Sequence, residues 1–92
     1  MANQVIKKDG SKEPFDVEKI KRVIRLSGQE AGLDEVKQNE VAEKIVAKIV
    51  EVFKDKEEIA ATEIRDKILG ELDVYAPSVS AAWRNYELNK NK

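Results

Sequence analysis

Seven lysine and arginine residues are concentrated in the first 25 positions, which hold only four acidic residues. The net charge of this segment is therefore +3. The remaining residues carry ten basic and fourteen acidic side chains, which gives them a net charge of −4. Flexible ammonium groups on two neighbouring elements can close around a polyanion such as a triphosphate. The distribution therefore indicates a local anion site on an otherwise acidic chain, and not a broad nucleic-acid surface.

Three of these lysines have a spacing that suits a single anionic ligand. Lys7 and Lys8 lie on a predicted β-hairpin, and Lys19 lies about one turn inside the helix that follows. The amide groups at the start of that helix are expected to add a further attraction for phosphate. On composition alone, a solvated surface is the more common role of such lysines. It is the role expected of four other cations, Lys12, Lys21, Arg22 and Arg25.

The absence of histidine and cysteine excludes several kinds of site. Without cysteine there are no disulfides and no thiolate metal ligands, and without histidine the most common general base and transition-metal ligand are missing. Catalysis would need carboxylates or lysines that converge in a cleft, and the sequence shows no such arrangement. We therefore expect a domain that is not itself an enzyme.

The glycines do not predict a phosphate-binding loop, because no G-x-x-x-x-G-K-[ST] motif is present. Direct nucleic-acid binding is not expected, because most of the chain is acidic and no helix is rich in arginine or asparagine. No apolar run approaches the roughly 20 residues that cross a bilayer. The N-terminus lacks the apolar core of a signal peptide. A cytoplasmic location without membrane attachment is therefore expected.

The first predicted element is a β-hairpin over residues 3–14. Asp9-Gly10 is typical of a two-residue type I′ turn, in which both central residues have positive φ. The apolar pair that begins at Val5 leads into the turn, and Pro14 ends the pairing on the other side. A two-stranded hairpin is only marginally stable in water, so this one must pack against the rest of the chain.

Apolar residues at helical spacing predict four helices over residues 16–92. Asp16 is a suitable N-cap for the first helix. The second has the broadest apolar stripe, which predicts burial against several neighbours and includes a second line formed by Ala42, Val46 and Val50. A solvated loop, KDKEE, precedes the third helix, whose cap is near Ala61 or Thr62. The expected core residues are Ile20, Val23, Ile24 and Ala31, then Val41, Ile45, Ile49 and Phe53, then Ile64, Ile68, Leu69 and Leu72, and finally Val79, Ala82, Trp83 and Tyr86.

These elements predict a mainly α (α+β) fold, in which an N-terminal β-hairpin is followed by a compact four-helix bundle. A single domain, residues 1–92, contains both parts, and its polar tail NKNK is expected to fray. Trp83 and Tyr86 share the apolar stripe of the last helix, so a core role is expected for them in preference to stacking on a base.

The stretch VIKKDGSKEPFDVEKI resembles the opening of the ATP-cone domain family, whose pattern is roughly V-x-K-R-D-G-x-x-E-x-F-D-x-x-K-I. The likeness extends through the long second helix, the segment from Glu58 to Ile64 and the aromatic residues of the last helix. It implies a four-helix bundle under a hairpin lid that binds ATP or dATP, with Mg²⁺ as an accompanying ion. The matching residues of the opening motif are Val5, Lys7, Lys8, Asp9, Gly10, Glu13, Phe15, Asp16, Lys19 and Ile20.

The resemblance also implies which residues contact the nucleotide. In the opening motif these are Val5, Lys7, Lys8, Glu13, Phe15 and Lys19. Family members often have a threonine near the adenine, and this chain has Ala61 at that position with Thr62 next to it, so both are expected at the site. The chain also departs from the family's closing Y-x-x-Y-R pattern, because Glu87 stands where arginine is usual.

Domains of this kind are found in many ribonucleotide reductases, in the bacterial repressor of reductase genes and in some kinases. The resemblance implies a regulatory module that senses adenine nucleotide and modulates the assembly or activity of an attached or partner protein, through self-association or contact with another chain. Both a free-standing protein and a part of a larger enzyme, such as a ribonucleotide reductase, fit this expectation. The alternative is a helical protein–protein interaction domain that binds no ligand.

Overall fold

The computed structural model describes residues 4–90, with the side chains of residues 4–87. This part of the chain folds into three short strands and four helices, which confirms the predicted mainly α fold with an N-terminal hairpin. None of the helices described is long and apolar enough to cross a membrane. Asn3 of the predicted hairpin and the last two residues of the predicted frayed tail lie outside the described residues. The elements are β1 (Gln4–Ile6), β2 (Lys12–Pro14), α1 (Val17–Glu30), α2 (Glu35–Phe53), β3 (Glu58–Ala60), α3 (Ala61–Tyr75) and α4 (Pro77–Lys90).

The four helices form a ring in which α1 and α3 each pack against both α2 and α4. The stripe predicted for α2 is central to the core, because Val41, Ile45, Ile49 and Phe53 are each at most 5% exposed. These residues recur every four positions, so they lie along one face of the helix and meet its neighbours. The other helices contribute their own buried apolar residues, namely Ile24 from α1, Ile64, Ile68, Leu69 and Leu72 from α3, and Val79 and Trp83 from α4.

Some predicted core residues lie nearer the surface. Ile20, Val23 and Ala31 are partly buried and pack against the core. Val50 and Tyr86 are each 40% exposed, so their predicted buried positions are wrong. Although it follows the buried Trp83 by three residues, Tyr86 lines a surface cavity beside the last turns of α1.

Polar caps and one glycine fix the ends of α1 and the start of α2. The Asp16 carboxylate accepts hydrogen bonds from the backbone N–H groups two and three residues later (3.0 and 3.4 Å), which confirms its predicted N-cap role. Gly32 follows α1 with a φ of +88°, a conformation that glycine adopts without strain. Asp34 caps α2 through the N–H group three residues later (2.9 Å). Local hydrogen bonds and Gly32 therefore define both ends of α1 and the start of α2 around a short connection.

The hairpin loop differs from the predicted two-residue type I′ turn. The N–H group of Lys7 donates to the carbonyl of Ser11, and that of Gly10 donates to the carbonyl of Lys7, both at 2.9 Å. Within the loop only Gly10 has a positive φ (+88°), so the loop has three residues and ends in a left-handed glycine. The Asp9 carboxylate instead accepts hydrogen bonds from the N–H group (2.9 Å) and the hydroxyl (2.6 Å) of Ser11. These bonds lower the pKa of Asp9.

The central strand of a three-stranded sheet is β1, in the order β2-β1-β3. It runs antiparallel to β2, with Val5 opposite Glu13, and parallel to β3, with Val5 opposite Ile59. The sequence did not predict β3, because three residues are too few to show an alternating pattern and the preceding segment is polar. Val5 and Ile59 are buried, and β3 leads directly into α3, so the sheet joins the hairpin to the helical bundle.

Two ion pairs connect α3 to α4. The guanidinium of Arg84 donates to both carboxylate oxygens of Asp73 (2.9 and 3.1 Å), and the Ser80 hydroxyl donates to the same carboxylate. The hydrogen bonds from Arg84 and Ser80 lower the pKa of Asp73 to about 2. Arg65 donates through Nε to both oxygens of Glu87 (2.8 and 2.9 Å). The acid found where the resemblance implies arginine therefore has a partner within the fold.

Replacing Gly10 with alanine should destabilise the protein by about 1–2 kcal/mol, because the left-handed backbone conformation is unfavourable for residues with a Cβ atom. No neighbouring atom lies within 4 Å of the added Cβ, so the effect should come from the backbone alone. Gly70→Ala is the matched control: its surroundings are equally open, but it lies within α3 and should stabilise the protein by about 0.5–1 kcal/mol. Chemical denaturation measures both free energies of unfolding, and effects of the same sign would contradict the loop geometry.

The Asp73–Arg84 pair should make stability depend on pH in the acid range. A carboxyl whose pKa falls from 3.8 to about 2 on folding contributes stability above pH 3.8, and this contribution is lost as the pH falls toward 2. Asp73→Asn should therefore lower the melting temperature at neutral pH, and the deficit should shrink across this window. Thermal unfolding followed by circular dichroism at a series of pH values measures the deficit.

The control for this experiment is Asp55→Asn, a similar change at an exposed position between α2 and β3. It should alter the melting temperature little at any pH. A deficit for Asp73→Asn that stays constant down to pH 2 would show that ionisation of this carboxyl is not the source of the stabilisation.

Candidate functional site

A cavity of about 270 Å³ lies between the hairpin, the start of α1 and the start of α3. Its apolar lining residues are Val5, Pro14, Phe15, Ile20, Ala61 and Ile64. Its charged lining residues are Glu13, Asp16 and Lys19. Mainly apolar walls with a few charged groups are the usual composition of a small-molecule site. The cavity is therefore suited to a ligand with a flat or apolar part and a charged part.

The structure brings together most, but not all, of the residues predicted to bind nucleotide. Five of them line the cavity: Val5, Glu13, Phe15, Lys19 and Ala61. Lys7 does not line it but is connected to it through an ion pair with Glu13. Lys8, in the hairpin loop, and Thr62, the second residue of α3, are exposed and do not line the cavity.

The Glu13 carboxylate lies between two ammonium groups that come from different elements. Oε2 is 3.5 Å from Nζ of Lys7, the residue after β1, and Oε1 is 3.7 Å from Nζ of Lys19, in α1. Both lysine side chains are at least half exposed, so each ion pair is worth at most about 1 kcal/mol. The geometry shows that the two lysines can approach the same anionic group, and the weak pairing leaves them able to exchange it for another.

The two helices that border the cavity present different N-termini. The first free amides of α1 are already bonded to the Asp16 carboxylate, so the phosphate attraction expected from them is largely satisfied within the protein. The start of α3 differs, because its N-cap residue, Ala60, makes no side-chain hydrogen bond to the helix. Ala61, the first residue of α3, lines the cavity. The positive end of the α3 dipole is thus the one that remains available to a ligand there.

Sequence reasoning missed several residues of the cavity lining. Ile64 lies one turn after Ala61 on the same side of α3, so it could have been found only if the start of α3 had been placed against the hairpin. That placement depends on β3, which the sequence did not predict. Ile20 and Asp16 belong to the matched opening motif, but they were interpreted as a core residue and a cap. They also have those roles, since Asp16 caps α1 and Ile20 packs against the core.

Comparison with known proteins identifies the family. A family model described as the ATP cone domain matches residues 3–90, and therefore spans all the strands and helices that the structure describes. Among curated proteins, no sequence matches the chain. ATP-cone domains are regulatory, non-catalytic modules that bind adenine nucleotides. Since the match covers nearly the whole chain, including each element around the cavity, the protein belongs to the ATP-cone domain family.

Proposed function

We propose that this domain binds ATP or dATP in the cavity between the hairpin, α1 and α3, and that binding modulates the assembly or activity of an attached or partner protein. The regulated system would be a ribonucleotide reductase or the control of its genes, as the family resemblance suggests. The observation that carries the proposal is the convergence of Lys7 and Lys19 on one anionic group at the edge of an apolar cavity.

The composition of the cavity suggests which part of the nucleotide lies against its apolar walls and which part lies near its charged groups. At about 270 Å³ the cavity is slightly smaller than the roughly 300–1,000 Å³ typical of small-molecule sites. The base and part of the sugar would lie against apolar residues such as Val5, Phe15 and Ile64. The phosphates would extend toward the exposed ammonium groups of Lys7 and Lys19. In this arrangement Lys8, one residue further along the hairpin, supplies a third cation as the loop closes over the phosphates.

Entry of a polyphosphate requires the Glu13 carboxylate to release both lysines. Each pair is exposed and weak, so the exchange costs little free energy. A triphosphate carries more charge than one carboxylate and offers more acceptor oxygens, so the lysines gain by the exchange. In this proposal Glu13 belongs to the nucleotide site, as the family resemblance implies. Its role is to hold the two lysines until the phosphates replace it, since a carboxylate does not itself attract phosphate.

Any Mg²⁺ at the site would be held mainly by the nucleotide. No group of three or more Asp, Glu, His or Cys side chains that could hold a metal ion is present in the part of the chain that the structure describes. Magnesium commonly binds through substrate phosphates, waters and one or two carboxylates. Glu13 fits the role of such a carboxylate, and the ion would supply charge neutralisation between the phosphates.

The lysine assignments predict specific losses of affinity. Lys7→Ala and Lys19→Ala should each weaken ATP binding by about 1–3 kcal/mol, the usual scale for a hydrogen bond to a charged group. Binding should also weaken as salt is added, because both ammonium groups are exposed to screening. Isothermal titration with ATP, dATP, ADP and GTP measures these affinities, and thermal unfolding without ligand should be nearly unchanged in both variants.

Two lysines on other surfaces serve as controls for this titration. Lys37→Ala and Lys54→Ala remove cations from α2 and from the residue after it, and neither position lines the cavity. Equal losses in the controls and in the site variants would place the nucleotide elsewhere. If no adenine nucleotide binds even at millimolar concentration, the ligand-free interaction domain becomes the better description.

The regulatory half of the proposal predicts a change in assembly. A ligand shifts the balance between two assembly states only if it binds one of them more tightly. Sedimentation velocity of the protein with and without saturating ATP or dATP should therefore show different distributions of species. At the same nucleotide concentration, the distribution of species should change less for the Lys19→Ala variant than for the parent protein. Identical distributions at saturation would leave a nucleotide-binding module without an assembly switch of its own.

A further inference from the structure

A second cavity, larger than the one next to the hairpin, lies elsewhere in the bundle. It has a volume of about 580 Å³, lies between α2 and α3, and shares no lining residue with the cavity described above. We call it the α2/α3 groove; the lining residues that matter here are Lys44, Ala47 and Lys48 from α2, and Val74 and Tyr75 from α3. Its volume lies within the roughly 300–1,000 Å³ range of small-molecule sites.

The walls of the α2/α3 groove include apolar surface that the fold leaves uncovered. Val74 is 85% exposed, more than any other large hydrophobic residue described, and Tyr75 is 39% exposed. Ile45, which is almost fully buried, forms part of the floor. The stems of the two lysines add further apolar surface, because the long side chain of lysine is aliphatic up to its ammonium group. An apolar ligand would cover this surface.

The charges around the groove favour an anion. No carboxylate of the described residues forms an ion pair with Lys44 or Lys48, and the Lys44 ammonium lies 4.9 Å from the centre of the Tyr75 ring. The two acids of the groove are already paired, since Glu51 lies 3.3 Å from Lys54 and Glu71 lies 3.3 Å from Lys67. Each acid therefore already has a lysine partner that does not line the groove, whereas Lys44 and Lys48 have no carboxylate partner among the described residues.

Lys44 and Lys48 are also neighbours on one face of α2, because they are four residues apart. Like charges at this spacing repel each other, and an anion placed between them removes the repulsion and gains two charge-assisted contacts. We propose that the α2/α3 groove binds a small amphipathic carboxylate, with its head group between Lys44 and Lys48 and its apolar part against Val74 and Tyr75. This site is separate from the proposed nucleotide site and does not depend on it.

The test uses decanoate, below its micelle concentration, as the probe. Titration of decanoate into ¹⁵N-labelled protein should shift the amide resonances around Lys44, Lys48 and Val74. These shifts should saturate and follow the binding curve of a single site. Lys44→Glu and Lys48→Glu should each weaken binding by about ten- to a hundredfold, the fold-change that corresponds to one charged hydrogen bond. Val74→Ser should weaken it as well, and because all three positions are exposed the variants should keep the fold of the parent protein.

Three controls make the result decisive. Lys37→Glu changes charge by the same amount on the same helix, outside the groove, and should leave decanoate binding unchanged. Decyltrimethylammonium, with the same chain and the opposite charge, should bind much more weakly. Lys19→Ala should not affect decanoate binding, which separates failure of this proposal from failure of the nucleotide site. The proposal would be overturned by any of three outcomes: equal binding of both amphiphiles, decanoate binding that the groove variants do not change, or no saturable shift of the amide resonances at the groove residues.

Discussion

The parallel pairing of β1 with β3 holds the hairpin against the helical bundle, and the cavity beside it depends on that pairing. A hairpin alone is marginal in water, but here its first strand has a partner on each side. Backbone pairing continues beyond the strand itself, since the N–H group of Gln4 donates to the carbonyl of Glu57 (3.1 Å). Lys12 and Glu58 form an ion pair that connects the two outer strands across β1. These contacts hold Val5, Phe15 and Ala61 around the same space.

Helix α1 then relates this site to the rest of the fold. Its N-terminal turn carries Asp16, which caps the helix, and Lys19, which faces Glu13. The same helix packs against both α2 and α4, and its Ile24 is fully buried. A change in the position of the first turn is therefore resisted by a close-packed core further along the same helix. Under the proposed function, this helix is the direct physical connection between the ligand and the outer surfaces of the bundle.

The features that could be predicted from the sequence are those with a strong local cause. The stripe of Val41, Ile45 and Ile49 identifies a buried helix because it persists over several turns, and Asp16 identifies a helix start because its carboxylate bonds the nearest amides. The opening motif likewise contains four of the predicted ligand residues that line the cavity, namely Val5, Glu13, Phe15 and Lys19.

The features that could not be predicted depend on contacts made elsewhere in the chain. Strand β3 exists because β1 is beside it, and three residues carry no pattern of their own. The hairpin loop was assigned to the wrong type because Asp9 bonds Ser11, an alternative that the Asp-Gly pair does not reveal. Ile64 lines the site, and Tyr86 lies at the surface, because of how whole helices are placed relative to one another. The periodicity of a sequence does not determine that placement.

The position of Glu13 between Lys7 and Lys19 has a consequence for selectivity among ligands. Because the carboxylate is part of the chain, under the proposed function it would act as a tethered competitor at a constant effective concentration, whatever the concentration of free anions. A ligand bound there would have to displace it, and a monophosphate has only one charged group to offer for that displacement. A triphosphate offers several charged groups for the same displacement. The tethered acid would thus set a threshold that rejects small anions and raises the nucleotide concentration at which the domain responds, without a single contact to the base.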